Sequence, residues 1–328
     1  MSQAPLKVVA TDGLDKEAIA RLEGEGRDLV ELRVQSGVPA SELGAVLGAA
    51  DVVVIRSATN LNSAVLQGLP KLKGVVRAGV GLDNIDVAKA TELGVYVWNA
   101  PTGNFQSTAE LAIGHMFALA RRIAFATEQG RAGKWMKKEL SGGRQISGST
   151  VGVFGAGNIG LRAARMAAAL GARVQLCDPV YNGTEFQTVD FKTLMGTSDF
   201  ITIHSPLLDS TRHAFNATAF AMAKPGLCLV NAARGGIVHE ADLVEALNAG
   251  RLGGAALDVF EKEPFDPKDP LTAKLLAHPL VVTTPHIGAS TLEAQKAVGL
   301  EVADKVLRLA RGEAVAPLNR PSHPRWAP

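Results

Sequence analysis

The sequence predicts an α/β protein made of two units, each a parallel sheet wound with crossover helices, with a cleft between them. Short β-branched runs alternate with longer Ala- and Leu-rich amphipathic stretches from end to end, which is how parallel strands joined by helices read. The length, 328 residues, suits two domains at roughly 100–200 residues each. The strand-and-helix series also runs through twice, on either side of one long helical pattern.

The first series has strands at Lys7–Thr11, Val52–Arg56, Gly74–Arg77 and Val95–Asn99, with helical stretches at Asp15–Glu25, Pro39–Ala49 and Ala88–Leu93. A helical pattern from Gln106 to Arg131 bridges to the second series, with strands at Thr150–Phe154, Arg173–Cys177, Phe200–His204, Leu227–Asn231, Gly254–Val259 and Leu280–Thr284. Six strands complete a doubly wound sheet. A last helix, Leu292–Arg311, is expected to return to the first unit, followed by an irregular Pro-rich tail, Pro317–Pro328. DVVVIRS at 51–57 echoes DFITIHS at 199–205. Duplication and the shared grammar of buried parallel strands account for that echo equally well.

Composition narrows the function. Thirty-four Lys and Arg against 32 Asp and Glu leave a net charge of +2, which provides no broad basic face for nucleic acid or a membrane surface. No stretch is apolar for the roughly 18 residues of a membrane span. The N-terminus shows no secretory pattern, so the expected location is the cytoplasm. The 2 cysteines, Cys177 and Cys228, sit in apolar runs without ligand spacing, and the histidines are scattered, so neither a disulfide framework nor a metal is indicated.

Gly155, Gly157 and Gly160 form G-x-G-x-x-G in GAGNIG, directly after the strand Thr150–Phe154 and opening the periodic stretch Leu161–Leu170. The first glycine permits a tight turn, the second lets a pyrophosphate approach the backbone, and the third lets helix and strand pack closely. The helix N-terminus adds free N–H groups and positive dipole. The next strand ends in Asp178, 18 residues after Gly160, where a carboxylate can accept bonds from ribose hydroxyls. The expected cofactor is NAD, because Asp178 repels a 2′-phosphate and the following PVYNG carries no Arg to neutralise one.

A nicotinamide enzyme acting on an alcohol needs a proton acceptor, a substrate anchor and a partner for the acceptor. Three strand ends provide them: Arg234 in NAARGG, Glu263 in DVFEKEP and His286 in TTPHIGAS. Ligands of open α/β sheets bind outside the carboxyl ends of strands, so all three are expected to face the active-site cleft. Arg234 is suited to grip a carboxylate bidentately and polarise a carbonyl. His286 is suited to exchange the alcohol proton, and Glu263 to favour its imidazolium and fix its tautomer.

GAGNIG (155–160), HSPLLDSTRH (204–213), VNAARGGIVHE (230–240), ALDVFEKEP (256–264) and TTPHIGAST (283–291) resemble the D-isomer-specific 2-hydroxyacid dehydrogenase family, and the likeness runs over nearly the whole chain. The resemblance makes Arg234, Glu263 and His286 the catalytic residues. It implies a flavodoxin-like substrate domain of residues 1–98 plus 290–328 around an NAD-binding Rossmann domain of 99–289, and a homodimer built on the 106–131 helix. It carries cofactor contacts onto Val80, Ile159, Ser205, Ala232, Ala233, Arg234, Asp258, His286 and Gly288, besides the glycine fingerprint and Asp178. Asn158 stands where the family usually has Arg, leaving the backbone cradle without one charged contact.

RAGVGLDNID (77–86), GKW (133–135) and PHIGASTLEAQ (285–295) are most similar to family members acting on a phosphorylated hydroxy acid. Substrate contacts then fall on Arg56, Arg77, Val80, Gly81, Lys137 and Arg234. Lys137 stands where an Arg is frequent, so Arg56 and Arg77 either help bind phosphate or shape a carboxylate pocket alone. Relatives acting on unphosphorylated acids or on phosphite, and a non-catalytic NADH-binding corepressor, stay open. The stretch after His286 is too short for both a closing helix and a regulatory module, so no such module is expected.

Overall fold

Val52, Val53, Val54 and Ile55 are almost wholly inaccessible to solvent, as residues of a strand covered on both faces must be. Two sheets of such strands frame the protein in its computed structural model, which describes residues 4–326. The described residues of Met1–Asn104 and Ala289–Pro328 form one unit, and Phe105–Gly288 form the other.

In the first unit β1 (Leu6–Ala10), β2 (Val30–Val34), β3 (Val52–Ile55), β4 (Gly74–Arg77) and β5 (Tyr96–Asn99) pair in the order β2-β1-β3-β4-β5. This is the flavodoxin-like order. The edge strand β2 was not expected: its sequence VELRV is largely polar and only Val30 is buried, so it lacks the apolar run that marks the others. The stretch 39–49 is a short 3-10 turn at Ala40–Glu42 followed by a helix at Leu43–Leu47 only.

The helix Leu292–Ala310 closes this unit, packing Val298, Val302, Ala303 and Val306 into the core with Val8 and Leu22. The tail beyond it is irregular as far as Trp326, as expected, and firmly fastened; its last two positions lie outside the described residues. Asn319 accepts from the Val97 N–H at 2.8 Å and donates to Thr91 Oγ1 and the Val95 carbonyl. Trp98 Nε1 donates to the Val315 carbonyl at 2.9 Å.

The second unit holds β6 (Thr150–Phe154), β7 (Arg173–Cys177), β8 (Gln187–Thr188), β9 (Phe200–Ile203), β10 (Leu227–Asn231), β11 (Leu252–Leu257) and β12 (Val281–Thr283). Their order is β12-β11-β10-β9-β6-β7-β8. This is the Rossmann order with one further strand, and it reverses direction between β6 and β9, the switch point at which such sheets bind ligands. Seven strands stand where six were expected; the addition, β8, has only 2 residues, too few to show a period.

The helical pattern 106–131 is two helices rather than one, Phe105–Arg121 and Ile123–Arg131, parted at Arg122 with φ 51°. The first buries Ala112, Ile113, Met116 and Leu119, whereas no residue of the second is buried. The break therefore falls where the apolar stripe ends. Among the described residues no helix is long and apolar enough to cross a membrane.

Candidate active site

The glycine loop follows β6 at the switch point. Gly155 has φ 95°, and a Cβ there would lie 2.6 Å from the Ser205 N–H nitrogen. At Gly160 a Cβ would lie 1.9 Å from the Gly155 carbonyl oxygen, so helix and strand meet only because it is absent. Around Gly157 a Cβ would find nothing within 4 Å, and Gly157 begins the helix Asn158–Ala169 without a side-chain cap. Uncapped N–H groups facing open space are what a pyrophosphate requires, so these residues fit a dinucleotide. Asp178 lies at the end of β7, its carboxylate accepting from the N–H groups of Ala156 (2.7 Å) and Val180 (2.8 Å). It braces the loop.

Arg234, Glu263 and His286 all lie in the second unit, beyond the carboxyl ends of β10, β11 and β12. His286 Nδ1 is 2.6 Å from Glu263 Oε2. The other oxygen, Oε1, accepts from the Phe260 N–H at 2.9 Å. Burial opposes ionisation of Glu263, yet the His286 bond, the Phe260 N–H and the Arg234 charge outweigh it and hold the carboxyl below its ordinary value. Glu263 thus engages one ring nitrogen and leaves His286 Nε2 without a partner among the described residues.

Arg234 is positioned by its own turn. Asn231, fully buried at the end of β10, accepts from the Ala233 N–H and donates to the Arg234 carbonyl, while Arg234 Nη1 donates to the Ala233 carbonyl at 2.6 Å. Ala232 is buried beside it. Asp258, 1% exposed, fastens the His286 loop: it accepts from Thr284 Oγ1 (2.6 Å) and from the N–H groups of Ile287 (2.8 Å) and Gly288 (2.9 Å). Its carboxylate is committed to that loop. Asn231 was missed as a functional residue, because it reads as the last residue of an apolar strand.

Arg56, Arg77, Val80 and Gly81 lie in the first unit and Lys137, exposed, in the second. The backbone of Arg56 is fixed by Asp12, which accepts from its N–H at 2.7 Å, and by Asn84, which donates to its carbonyl at 2.6 Å. Its guanidinium has no hydrogen-bond or ion-pair partner among the described residues. Arg56 lines a cavity of about 240 Å³ with Asp12, Asp15, Ala78 and Gln295. Asp12 and Asn84 were also missed: both act on the backbone of a loop distant in sequence, which no spacing encodes.

Residues 113–288 match the family model described as D-isomer specific 2-hydroxyacid dehydrogenase, NAD binding domain. The chain is 44% identical over 308 residues to the hydroxypyruvate reductase of Thermotoga maritima, a match covering 93% of this chain and 98% of that protein. It is 41% identical over 312 residues to the D-3-phosphoglycerate dehydrogenase of Archaeoglobus fulgidus, covering 94% of this chain but only 58% of that longer protein. Among solved structures, the TT0316 protein of Thermus thermophilus superposes with a TM-score of 0.86 at 29% identity, over 98% of this chain and 100% of that one.

Proposed function

The chain belongs to the D-isomer specific 2-hydroxyacid dehydrogenase family of NAD-dependent oxidoreductases, and on that premise we propose that it oxidises D-3-phosphoglycerate to 3-phosphohydroxypyruvate, opening phosphorylated serine biosynthesis. The observation that carries the phosphorylated substrate is the guanidinium of Arg56 at the end of β3, without a hydrogen-bond or ion-pair partner among the described residues, with Arg77 closing the neighbouring strand β4. A fork of donors fixed through its backbone in this way suits an anion.

In this reading Arg234 holds the substrate carboxylate and polarises the C2 oxygen. His286 Nε2 takes the hydroxyl proton during oxidation and returns it during reduction, while Glu263 orients the ring through Nδ1. The bound nicotinamide supplies the hydride acceptor. A second copy of the chain is part of the proposal, supported by the exposure of Phe117, Ile123 and Trp135 on and after the 105–131 helices.

The identity to the Thermotoga maritima protein, 44%, favours a second reading, in which the substrate is unphosphorylated, as the name of that protein states for it. NADH oxidation with 3-phosphohydroxypyruvate, hydroxypyruvate and glyoxylate separates the two. A kcat/KM about tenfold or more in favour of the phosphorylated acid, a difference of about 1.4 kcal/mol in transition-state binding, supports the proposal. Equal or better use of the smaller acids overturns it and leaves a hydroxypyruvate or glyoxylate reductase.

A further inference from the structure

We infer that Glu240 and Glu261 form a clasp that locks the Arg234 loop to the Glu263 loop, so that both are positioning residues for the proton-transfer site. The inference rests on the assignment of that site to Arg234, Glu263 and His286. The Glu240 N–H donates to Glu261 Oε1 at 2.9 Å, and the Glu261 N–H donates back to Glu240 Oε1 at 2.6 Å. Each acid thus binds the other's backbone, across 21 residues of sequence.

The clasp is placed where it can govern the site. Glu261 precedes Glu263 by two positions, and the Phe260 N–H between β11 and Glu261 is itself bonded to Glu263 Oε1. On the other side Gly235 directly follows Arg234, and a Cβ there would lie 1.8 Å from the Phe260 carbonyl oxygen. The two loops are therefore in backbone contact at one end and bonded at the other. Two separated points of attachment prevent one loop from sliding along the other, and a slide would carry the Glu263 carboxylate away from His286 Nδ1.

The arrangement is not the one that fold stability alone favours. Glu240 is 7% exposed, and burial raises its carboxyl against the lowering effect of the Glu261 N–H, with the negative charges of Glu261, Asp269 and Glu263 adding to the rise. A pair of apolar side chains would join the loops without that electrostatic cost. Carboxylates supply direction instead, because each fixes one N–H and so one peptide plane. Glu240 opens the helix Glu240–Asn248 yet spends its Oε1 on the other loop.

The test compares Glu240→Ala, Glu261→Ala and their double variant with Glu240→Gln and Glu261→Gln, which keep an acceptor oxygen. Hydrogen exchange of segments 234–240 and 258–263 is measured without added cofactor, alongside kcat and KM for keto-acid reduction and NADH affinity by fluorescence. The alanine variants are expected to speed exchange in both segments and lower kcat about tenfold, with KM and NADH affinity within threefold of the parent. The double variant should be no worse than the worse single one, and glutamine should restore most of the loss. Faster exchange confined to the mutated loop, or an unchanged kcat, overturns the clasp. Should an alanine variant fail to fold, Glu261→Asp, one methylene too short to reach Glu240, carries the same expectation at smaller size. Glu263→Gln is the reference: if it leaves kcat unchanged, the assignment of the site fails. If it lowers kcat and Glu261→Ala does not, only the clasp fails.

Discussion

His286 has φ 55°, in the left-handed region, which costs a residue with a side chain about 1–3 kcal/mol. The neighbourhood imposes it: the His286 N–H donates to the Asp258 carbonyl at 2.8 Å, and the Asp258 carboxylate takes the next two N–H groups and the Thr284 hydroxyl. The strain aims the ring at Glu263. Glu263→Gln, which keeps the size of the side chain but removes the carboxylate that engages Nδ1, is expected to lower kcat/KM for keto-acid reduction about tenfold or more, with NADH affinity within threefold of the parent; an unchanged kcat/KM would show that the pair does not act in turnover. The place of Arg234, Glu263 and His286 at strand ends was legible in the sequence, because each follows an apolar run that forms a strand. Asp258 emerged there only as a cofactor contact, and its grip on the His286 loop is a backbone matter that residue type does not announce.

The echo between DVVVIRS and DFITIHS takes physical form between elements. β3 lies next to β1, and β9 next to β6, at equivalent positions of the two sheets. Ahead of each, an aspartate binds the neighbouring first strand and a lysine: Asp51 accepts from the Lys7 N–H and pairs with Lys73, and Asp199 accepts from the Thr150 N–H and pairs with Lys224. The same latch at the same place in two sheets weighs toward duplication, since strand grammar alone does not require it. Burial raises the Asp199 carboxyl, but Lys224, the Thr150 N–H and Arg144 lower it by more. A depressed carboxyl stabilises the fold fully above its unfolded value, about 4, and loses that contribution as pH falls through the folded one. Asp199→Ala is expected to cost about 1–2 kcal/mol by denaturant melting at pH 7, allowing for screening of the part-exposed Lys224, with the gap to the parent narrowing in acid. A gap that is absent at pH 7 or constant with pH would contradict this role. Apolar runs revealed the central strands; β2, β8 and the break at Arg122 were hidden because edge strands and exposed helices carry little apolar pattern.

Across the second unit as a whole, one sheet edge carries two separate sets of loops. The glycine cradle and Asp178 follow β6 and β7, while Arg234, Glu263 and His286 follow β10, β11 and β12. The strand order places the reversal between β6 and β9, so the two sets lie on opposite sides of the switch point. On the proposed roles, cofactor binding and proton transfer fall on different strands of one frame and should be separable by substitution. His286→Asn measures this directly, with NADH affinity read by fluorescence and keto-acid turnover by absorbance on the same preparation. The expected result is turnover reduced about 10³-fold, within the range for loss of a general acid–base group, with NADH affinity within threefold of the parent. Near-normal turnover would remove His286 from the chemistry, and NADH affinity lost in step with turnover would contradict the division of labour along the sheet.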